Sequence, residues 1–580
     1  MNSGNEKQIS KKSFIIMVLS VLLLYTARIF FLENDFPAFG IGLYQPKDEG
    51  RYSMMALDYL NYGNLYTAGK YEIYTPPTFR VNVLQNFLQY VCMKAFGKNY
   101  YGFRLPSFLT SLAIVLLCSR VIYCLFKRYY KIDKLYYIIS IVVLLYFLTD
   151  FSFLLASKCA EGSIFRAFSI ALSLWIIFEF NIHEDVRFFL LGALSVFSVF
   201  FIYISNVTIG FAVMVLTVSL VISKRRKENL NKLRAIISGG IIGFVCAEAY
   251  YIKVWKVGAL QNIFISADSF SDRMITEEIK EPVFLKALKG LFSFWGSNMF
   301  FFNVLVLILL LWSLVMISYY IIREKDENLL ILLGLLTGFI VQCILIDDYN
   351  ERKAITIIPA VIIIIVMGII IFVNNPGIWK GTKRKYAKIT IAGCTVFIYF
   401  CNVMAVLRRY ELIYIDDFEK FDLYFLLVLN LILCFLITII CIMLMLDKSR
   451  NWIYGIMRVA CVCALVINLF FDMKYVYLYQ HYTEKDAMID IGNVIGNNYV
   501  IASYSIGFCL YNDIMPISNT EEKYREYIKE DDIMYLIDYH EGGKVGLILP
   551  REKYAEVAVF DRSIKCLGSY WPVAVYKKVE

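Results

Sequence analysis

Asp48-Glu49-Gly50-Arg51-Tyr52 sets two acids and an arginine side by side, shortly after the first long apolar run of the chain. Carboxylates in such a cluster take a proton from a reacting hydroxyl, or hold a divalent cation such as Mg2+ or Mn2+. A guanidinium beside them binds phosphate or carboxylate through paired hydrogen bonds. Much later, Asn350-Glu351-Arg352-Lys353 places two cations on a short turn before another apolar run, a second place for an anion. Both groups also have a plain structural reading. Acids at a helix start gain about 0.3–1 kcal/mol from the helix dipole, so Asp48 and Glu49 read equally well as a cap. Arg352 and Lys353 read equally well as solvated interface charges.

The elements that must position these groups are membrane helices. Of the 580 residues, 59% are hydrophobic and 18% charged, and the mean hydropathy is +0.61. Soluble domains sit near half apolar and about 25% charged. The chain therefore reads as a polytopic α-helical membrane protein. Its net charge of +9 is spread over short basic clusters between apolar runs, the pattern of cytoplasmic membrane loops. No nucleic-acid partner is expected. The 14 cysteines show no metal-ligand spacing, and His183, His481 and His540 show none for zinc. The first apolar run lacks a small-residue cleavage site and reads as a span rather than a removed signal peptide.

Since about 20 apolar residues cross the hydrocarbon core, the runs place spans near 14–32, 106–126, 135–151, 163–181, 188–204, 206–222, 235–252, 301–322, 329–346, 355–373, 389–407, 421–446 and 453–471. This is about 13 transmembrane helices. The stretch 188–222 is divided only by Ser205-Asn206 and is open to three readings: two spans, one bent helix, or a re-entrant pair. Basic residues concentrate in alternate connections, for example Lys127 to Lys134, Lys224 to Arg234 and Lys380 to Lys388. The positive-inside rule then sets the N-terminus in the cytoplasm and the C-terminus outside, in a multi-pass protein of the plasma membrane.

Residues 1–471 form the transmembrane domain on this reading. Two extracytoplasmic loops, 33–105 and 253–300, are too long to be mere connections. The tail 472–580 carries short β-like runs (499–502, 533–537, 545–549, 573–576) and a polar helical stretch near 520–530, so a small extracytoplasmic α/β domain is expected. It is expected to shield an outer site or help select an acceptor. Within the first loop, 48–62 reads as a helix stopped by Gly63. Tyr52, Met55, Ala56, Tyr59 and Leu60 share one face, with Asp48 and Glu49 at its centre and Arg51 at its edge. Arg28 near the outer end of span one is expected to snorkel to water.

The order Asp-Glu-x-Arg-Tyr (48–52), turn, Pro76-Pro77, amphipathic stretch (Leu84, Phe87, Leu88, Val91), Arg104-Leu105-Pro106-Ser107, then a span resembles the GT-C membrane glycosyltransferases. The likeness is to the protein O-mannosyltransferase and aminoarabinose-transferase group, strongest over 40–125. The resemblance implies a GT-C-like transmembrane catalytic domain and a glycosyltransferase working at the extracytoplasmic face. Its donor would be a sugar on polyprenyl phosphate, its acceptor a lipid, a glycan or a protein. By the same resemblance Asp48 is the catalytic carboxylate, with Glu49 beside it, and Arg51 belongs to the active-site cluster. Glu161, in the loop between spans three and four, matches a second acid that works with Asp48, or shares a divalent cation with it. The family often has a lysine before the Pro-Pro pair that contacts donor phosphate. Here Thr75 stands there, and Arg51, Arg352, Lys353 and Tyr349 are the candidates to meet the phosphate instead. The main rival class is a polytopic transporter or a lipid-linked glycan flippase. Such proteins place ionisable groups at mid-membrane and show repeated halves. This chain keeps nearly all its charges outside the spans and shows no repeat.

Overall fold

The computed structural model describes residues 11–35, 49–50, 53–63, 82–160, 162–202, 206–222, 226–256, 304–324, 326–346, 355–374, 472–478, 481–502, 506–517, 533–539, 553–566 and 569–579, with isolated positions between 393 and 470. Long runs of Leu, Ile, Val and Phe become helices because, away from water, only a helix satisfies each backbone N–H and C=O within its own segment. They are α1 (Lys11–Thr26, continued by a 3-10 turn Ala27–Phe31), α2 (Met54–Tyr62), α3 (Val83–Phe96), α4 (Tyr100–Tyr129), α5 (Lys134–Thr149), α6 (Phe151–Lys158) and α7 (Ser163–Phe178). There follow α8 (Glu184–Phe197, continued by a π turn Ser198–Ile202), α9 (Thr208–Ile222), α10 (Arg226–Lys256), α11 (Val304–Glu324), α12 (Glu327–Ile346), α13 (Ile358–Asn374) and α14 (Thr483–Ile495).

Among the described residues, five helices are long and apolar enough to cross a membrane: Phe14–Phe31, Tyr100–Tyr129, Glu184–Ile202, Asn229–Ala249 and Ile355–Asn374. Lys134–Thr149, Ser163–Phe178, Thr208–Ile222 and Asn328–Gln342 are shorter apolar helices. This is a multi-pass membrane protein. The expected spans up to 355–373 all coincide with helices. Those at 389–407, 421–446 and 453–471 fall, apart from isolated positions, outside the described residues, as does the 253–300 loop beyond Lys256.

The stretch 188–222 resolves into two helices. A Cβ on Gly192 would fall 2.1 Å from the Ile236 carbonyl oxygen, and one on Gly239 would fall 1.9 Å from that of Phe189. Lys232 pairs with Glu184 at 3.1 Å and, further along, the Phe200 and Phe244 ring centres lie 6.1 Å apart, so residue numbers rise together along α8 and α10, which run parallel. Two parallel crossings require one in the opposite direction between them, and α9 supplies it. Polar pairs tie the bundle: Thr208 Oγ1 donates to Gln342 Oε1 at 2.7 Å, and Asn206 Nδ2 donates to Ser169 Oγ at 3.0 Å.

The expected start of span two moves outward. α4 begins at Tyr100, capped by Asn99 Oδ1 accepting from Gly102 N at 2.8 Å, and continues through Pro106. Arg104 thereby becomes a helix residue. Some 24 Å further along, at 1.5 Å per residue, Arg120 makes a two-point ion pair with Glu179 (2.7 and 2.8 Å). Near it Tyr129 OH donates to Asp326 Oδ2 at 2.7 Å. Polar groups near the ends of these helices thus pair with one another across neighbouring helices. Arg28 does not snorkel. It is 5% exposed, with Nε donating to Tyr477 OH at 2.9 Å and Nη2 to the Leu148 carbonyl. Protein acceptors at this depth replace the water it would otherwise seek.

Among the described residues, five strands in the C-terminal part form one sheet: β1 (Tyr499–Ala502), β2 (Met515–Ile517), β3 (Tyr535–Tyr539), β4 (Tyr554–Cys566) and β5 (Ser569–Lys578), ordered β2-β1-β3-β5-β4. β1 pairs in parallel with β2 and β3, while β5 is antiparallel to β3 and β4. The expected 545–549 strand and 520–530 helix lie outside the described residues. β2, β4 and α14 were not expected. β2 is only three residues long, too short for a period-two pattern. Met488, Ile491, Phe508, Leu510, Val573 and Val575 share one apolar core with Ala56, Leu57, Met93, Tyr100, Phe103 and Ala160 of the transmembrane part.

Candidate functional site

Near the start of α4 lies Arg104, and both it and Glu49 are 0% exposed. Arg104 Nε donates to Glu49 Oε1 at 3.0 Å and Nη2 to Oε2 at 2.7 Å. Its remaining nitrogen, Nη1, donates to the carbonyls of Leu32 and Asn34, both at 3.0 Å. The guanidinium lies 3.8 Å from the centre of the Tyr100 ring. A planar, forked cation is the side chain suited to such a place, since it meets a carboxylate at two points and still has donors left. Glu49 Oε1 also accepts from the Ala160 backbone N–H at 2.8 Å. One ion pair therefore joins three remote segments: the end of span one, the start of the 48–62 stretch, and the loop between α6 and α7.

Polar side chains of α3 complete the support. Gln85 Nε2 donates to the Ala160 carbonyl at 2.9 Å, Asn86 Oδ1 accepts from Ala56 N at 3.0 Å, and Gln89 Nε2 donates to the Phe103 carbonyl at 3.2 Å. These three are buried, whereas Phe87 on the other side is 60% exposed and Val91 and Phe96 are also exposed. That is the inverse of a helix in water and suits one lying at a lipid boundary. Lys158, also buried, reaches the carbonyls of Asn34 (3.4 Å) and Asp35 (3.3 Å).

The 48–62 stretch is not one regular helix. Ser53 departs from helical geometry (φ −112°, ψ 14°) and α2 begins after it. The expected stop holds: Gly63 has φ +70°, and its N–H donates to the Tyr59 carbonyl at 3.0 Å. Met55, Ala56 and Leu57 are buried, and Tyr59 and Leu60 half-buried.

Of the candidate catalytic and phosphate-binding residues, Glu49 is the one within the described residues. Asp48, Arg51, Thr75, Glu161, Tyr349, Arg352 and Lys353 lie outside them. Glu49 sits inward, as the helical wheel expected, but with both oxygens engaged it anchors the fold around it. What the structure does bring together are the neighbours of the two other acids. Glu49, next to Asp48, is hydrogen bonded to Ala160, next to Glu161. Among the described residues no group of three or more His, Cys, Asp or Glu is arranged to hold a metal ion. Arg104, Tyr100, Lys158 and the fully buried Arg166 were not assigned roles from sequence. The usable signal was Gln85, Asn86 and Gln89, amides recurring on one side of an otherwise apolar helix.

No protein-family model matches the chain, and no curated protein matches it by sequence. Solved structures do. The apo crystal structure of ArnT from Cupriavidus metallidurans aligns over 98% of this chain and 98% of its own, with a TM-score of 0.55 and 11% identity. The crystal structure of ArnT from Cupriavidus metallidurans bound to undecaprenyl phosphate aligns over 98% of this chain and 99% of its own, with a TM-score of 0.57 and 12% identity. The fold is therefore the GT-C fold of ArnT, as the motif order implied.

Proposed function

We propose that this protein is a membrane glycosyltransferase. It moves a sugar from a polyprenyl-phosphate carrier to a lipid, glycan or protein acceptor at the extracytoplasmic face, with the N-terminus in the cytoplasm and the C-terminal α/β domain outside. The observation that carries this reading is the Ala160–Glu49 hydrogen bond, which ties together the chain neighbours of Asp48 and Glu161. It lies inside a fold shared end to end with ArnT, one structure of which holds undecaprenyl phosphate.

In the proposed reaction Asp48 accepts the proton of the acceptor nucleophile as that atom bonds to the anomeric carbon. The bond from that carbon to the phosphate oxygen breaks, and the charge released on the carrier phosphate is met by Arg51 and by Arg352, Lys353 and Tyr349. Glu161 assists Asp48. A divalent cation (Mg2+ or Mn2+) shared by these two acids is the alternative use of the same carboxylates. Glu49 is assigned the task of holding the Asp48 backbone in place.

The test is Asp48→Asn, assayed with a radiolabelled polyprenyl-phosphate sugar in reconstituted vesicles. Transfer is abolished while expression and membrane insertion stay at wild-type level. Full activity of the variant removes the central claim. Translocation of the lipid without any new glycosidic bond assigns the protein to the transporter or flippase class instead.

A further inference from the structure

The apolar core shared by the sheet and the first-loop helices is accompanied by a chain of polar contacts that leads from the C-terminal domain to Glu49. Asp35, 2% exposed, caps α14 from a distance: its Oδ2 accepts from the N–H groups of Thr483 (2.9 Å) and Glu484 (3.4 Å). Tyr482, at the capping position itself, makes no side-chain capping bond to the helix. Asn34 and Asp35 also pair with the His481 backbone, Oδ1 of Asn34 accepting from His481 N and Asp35 N donating to His481 O, both at 2.8 Å. Glu484, fully buried, accepts from Tyr100 OH at 3.2 Å. The Tyr100 ring in turn is the surface on which the Arg104 guanidinium lies.

Tyr511 supplies a parallel route. It holds φ +64°, a left-handed conformation that a bulky residue adopts only when its surroundings enforce it. Three hydrogen bonds enforce it: its N–H donates to the Lys98 carbonyl at 2.8 Å, its hydroxyl donates to Glu33 Oε1 at 2.9 Å, and that same hydroxyl accepts from Tyr100 N at 2.9 Å. Burial and the Glu33 carboxylate push the Tyr511 phenol well above its usual range, so it remains a donor. Lys485 pairs with the other Glu33 oxygen at 2.8 Å.

We propose that Glu484 and Tyr511 of the C-terminal domain are positioning residues for glycosyl transfer, acting through Tyr100 and Arg104 on Glu49 and Ala160. The C-terminal domain is then part of the catalytic framework, beyond any shielding or acceptor-selecting duty. The activity arm of this inference rests on the transfer reaction proposed above. Its physical basis is that a carboxylate displaced by about 1 Å loses on the order of 100-fold in rate while substrate still binds.

Full-length Glu484→Ala, Tyr100→Phe and the conservative Glu484→Gln are compared in vesicles and by hydrogen–deuterium exchange. Glu484→Ala and Tyr100→Phe lower kcat about tenfold or more with donor KM unchanged. Glu484→Gln, whose amide oxygen still accepts from Tyr100, recovers most of that loss. Exchange rises in peptides covering 49–62 and 157–163 and stays unchanged in α8 to α13. The proposal is overturned if exchange in those two peptides does not change. It is equally overturned if exchange rises throughout the protein, which marks a merely structural loss, or if KM rather than kcat moves. Should the wild-type chain transfer no sugar, the proposed function fails. The exchange pattern by itself then decides whether the C-terminal domain positions these segments.

Discussion

Replacing Glu49 by Gln probes the Arg104–Glu49 pair with hardly any change in shape. In the wild type donors face both carboxylate oxygens: Arg104 Nε and Ala160 N point at Oε1, and Arg104 Nη2 points at Oε2. A glutamine has one oxygen and one NH2. With its oxygen at the Oε1 site, the NH2 meets Nη2 at a separation that was 2.7 Å; flipped, it meets two donors. Either orientation opposes donor to donor and leaves the guanidinium without its counter-charge at a site with no exposure. Breaking a buried pair by removing one partner costs about 3–5 kcal/mol. Against a total stability of order 5–15 kcal/mol, the melting temperature in detergent falls by about 5 °C or more. Fluorescence-detected size exclusion over a temperature series measures this alongside transfer activity. Asp48→Asn in the same assay melts with the wild type and does not transfer. The reasoning is refuted if Glu49→Gln melts like the wild type yet has lost all transfer, since Glu49 would then be the reacting carboxylate.

For Glu161→Gln the expected change is a loss of transfer of about tenfold or more, or 1.4 kcal/mol of barrier; an unaltered rate returns Glu161 to an ordinary interfacial acid. Gly239→Ala sets a methyl group 1.9 Å from the Phe189 carbonyl oxygen, so α8 and α10 must separate, and overpacking of this kind costs about 1–3 kcal/mol. A melting temperature equal to the wild type's would contradict the parallel contact between these helices. Thr208→Val removes the donor to Gln342, and an interhelical bond between membrane helices is worth about 0.6 kcal/mol and at most about 1.7. Its melting temperature therefore shifts far less than that of Glu49→Gln, and a larger drop would show that the Thr208–Gln342 pair carries more than one hydrogen bond.

Much of the architecture was legible in the residues themselves. Runs such as Ile358 to Ile371 are helices wherever they fold, because each segment in an apolar medium must satisfy its own backbone, which is a local requirement. Gly63 marked the end of α2 for an equally local reason, its left-handed φ. The order of short motifs around Asp48 pointed to the GT-C fold without any contact being known. Partners are another matter. Glu49 and Arg104 are 55 residues apart, and Asp35 caps a helix at residues 483–484. Nothing in hydropathy or spacing couples such positions. From the residues alone, Glu49 stood between cap and catalyst, Arg28 in water, and 188–222 among two spans, one bent helix and a re-entrant pair. Each was decided by which surfaces meet: Arg28 found carbonyl and hydroxyl acceptors at the end of its span, and Gly192 and Gly239 allowed two parallel helices into backbone contact. The chain by itself determined that it would cross a membrane repeatedly. Only the tertiary structure decided that Glu49 is committed to Arg104, because a buried charge takes whatever counter-charge the packing of distant helices delivers.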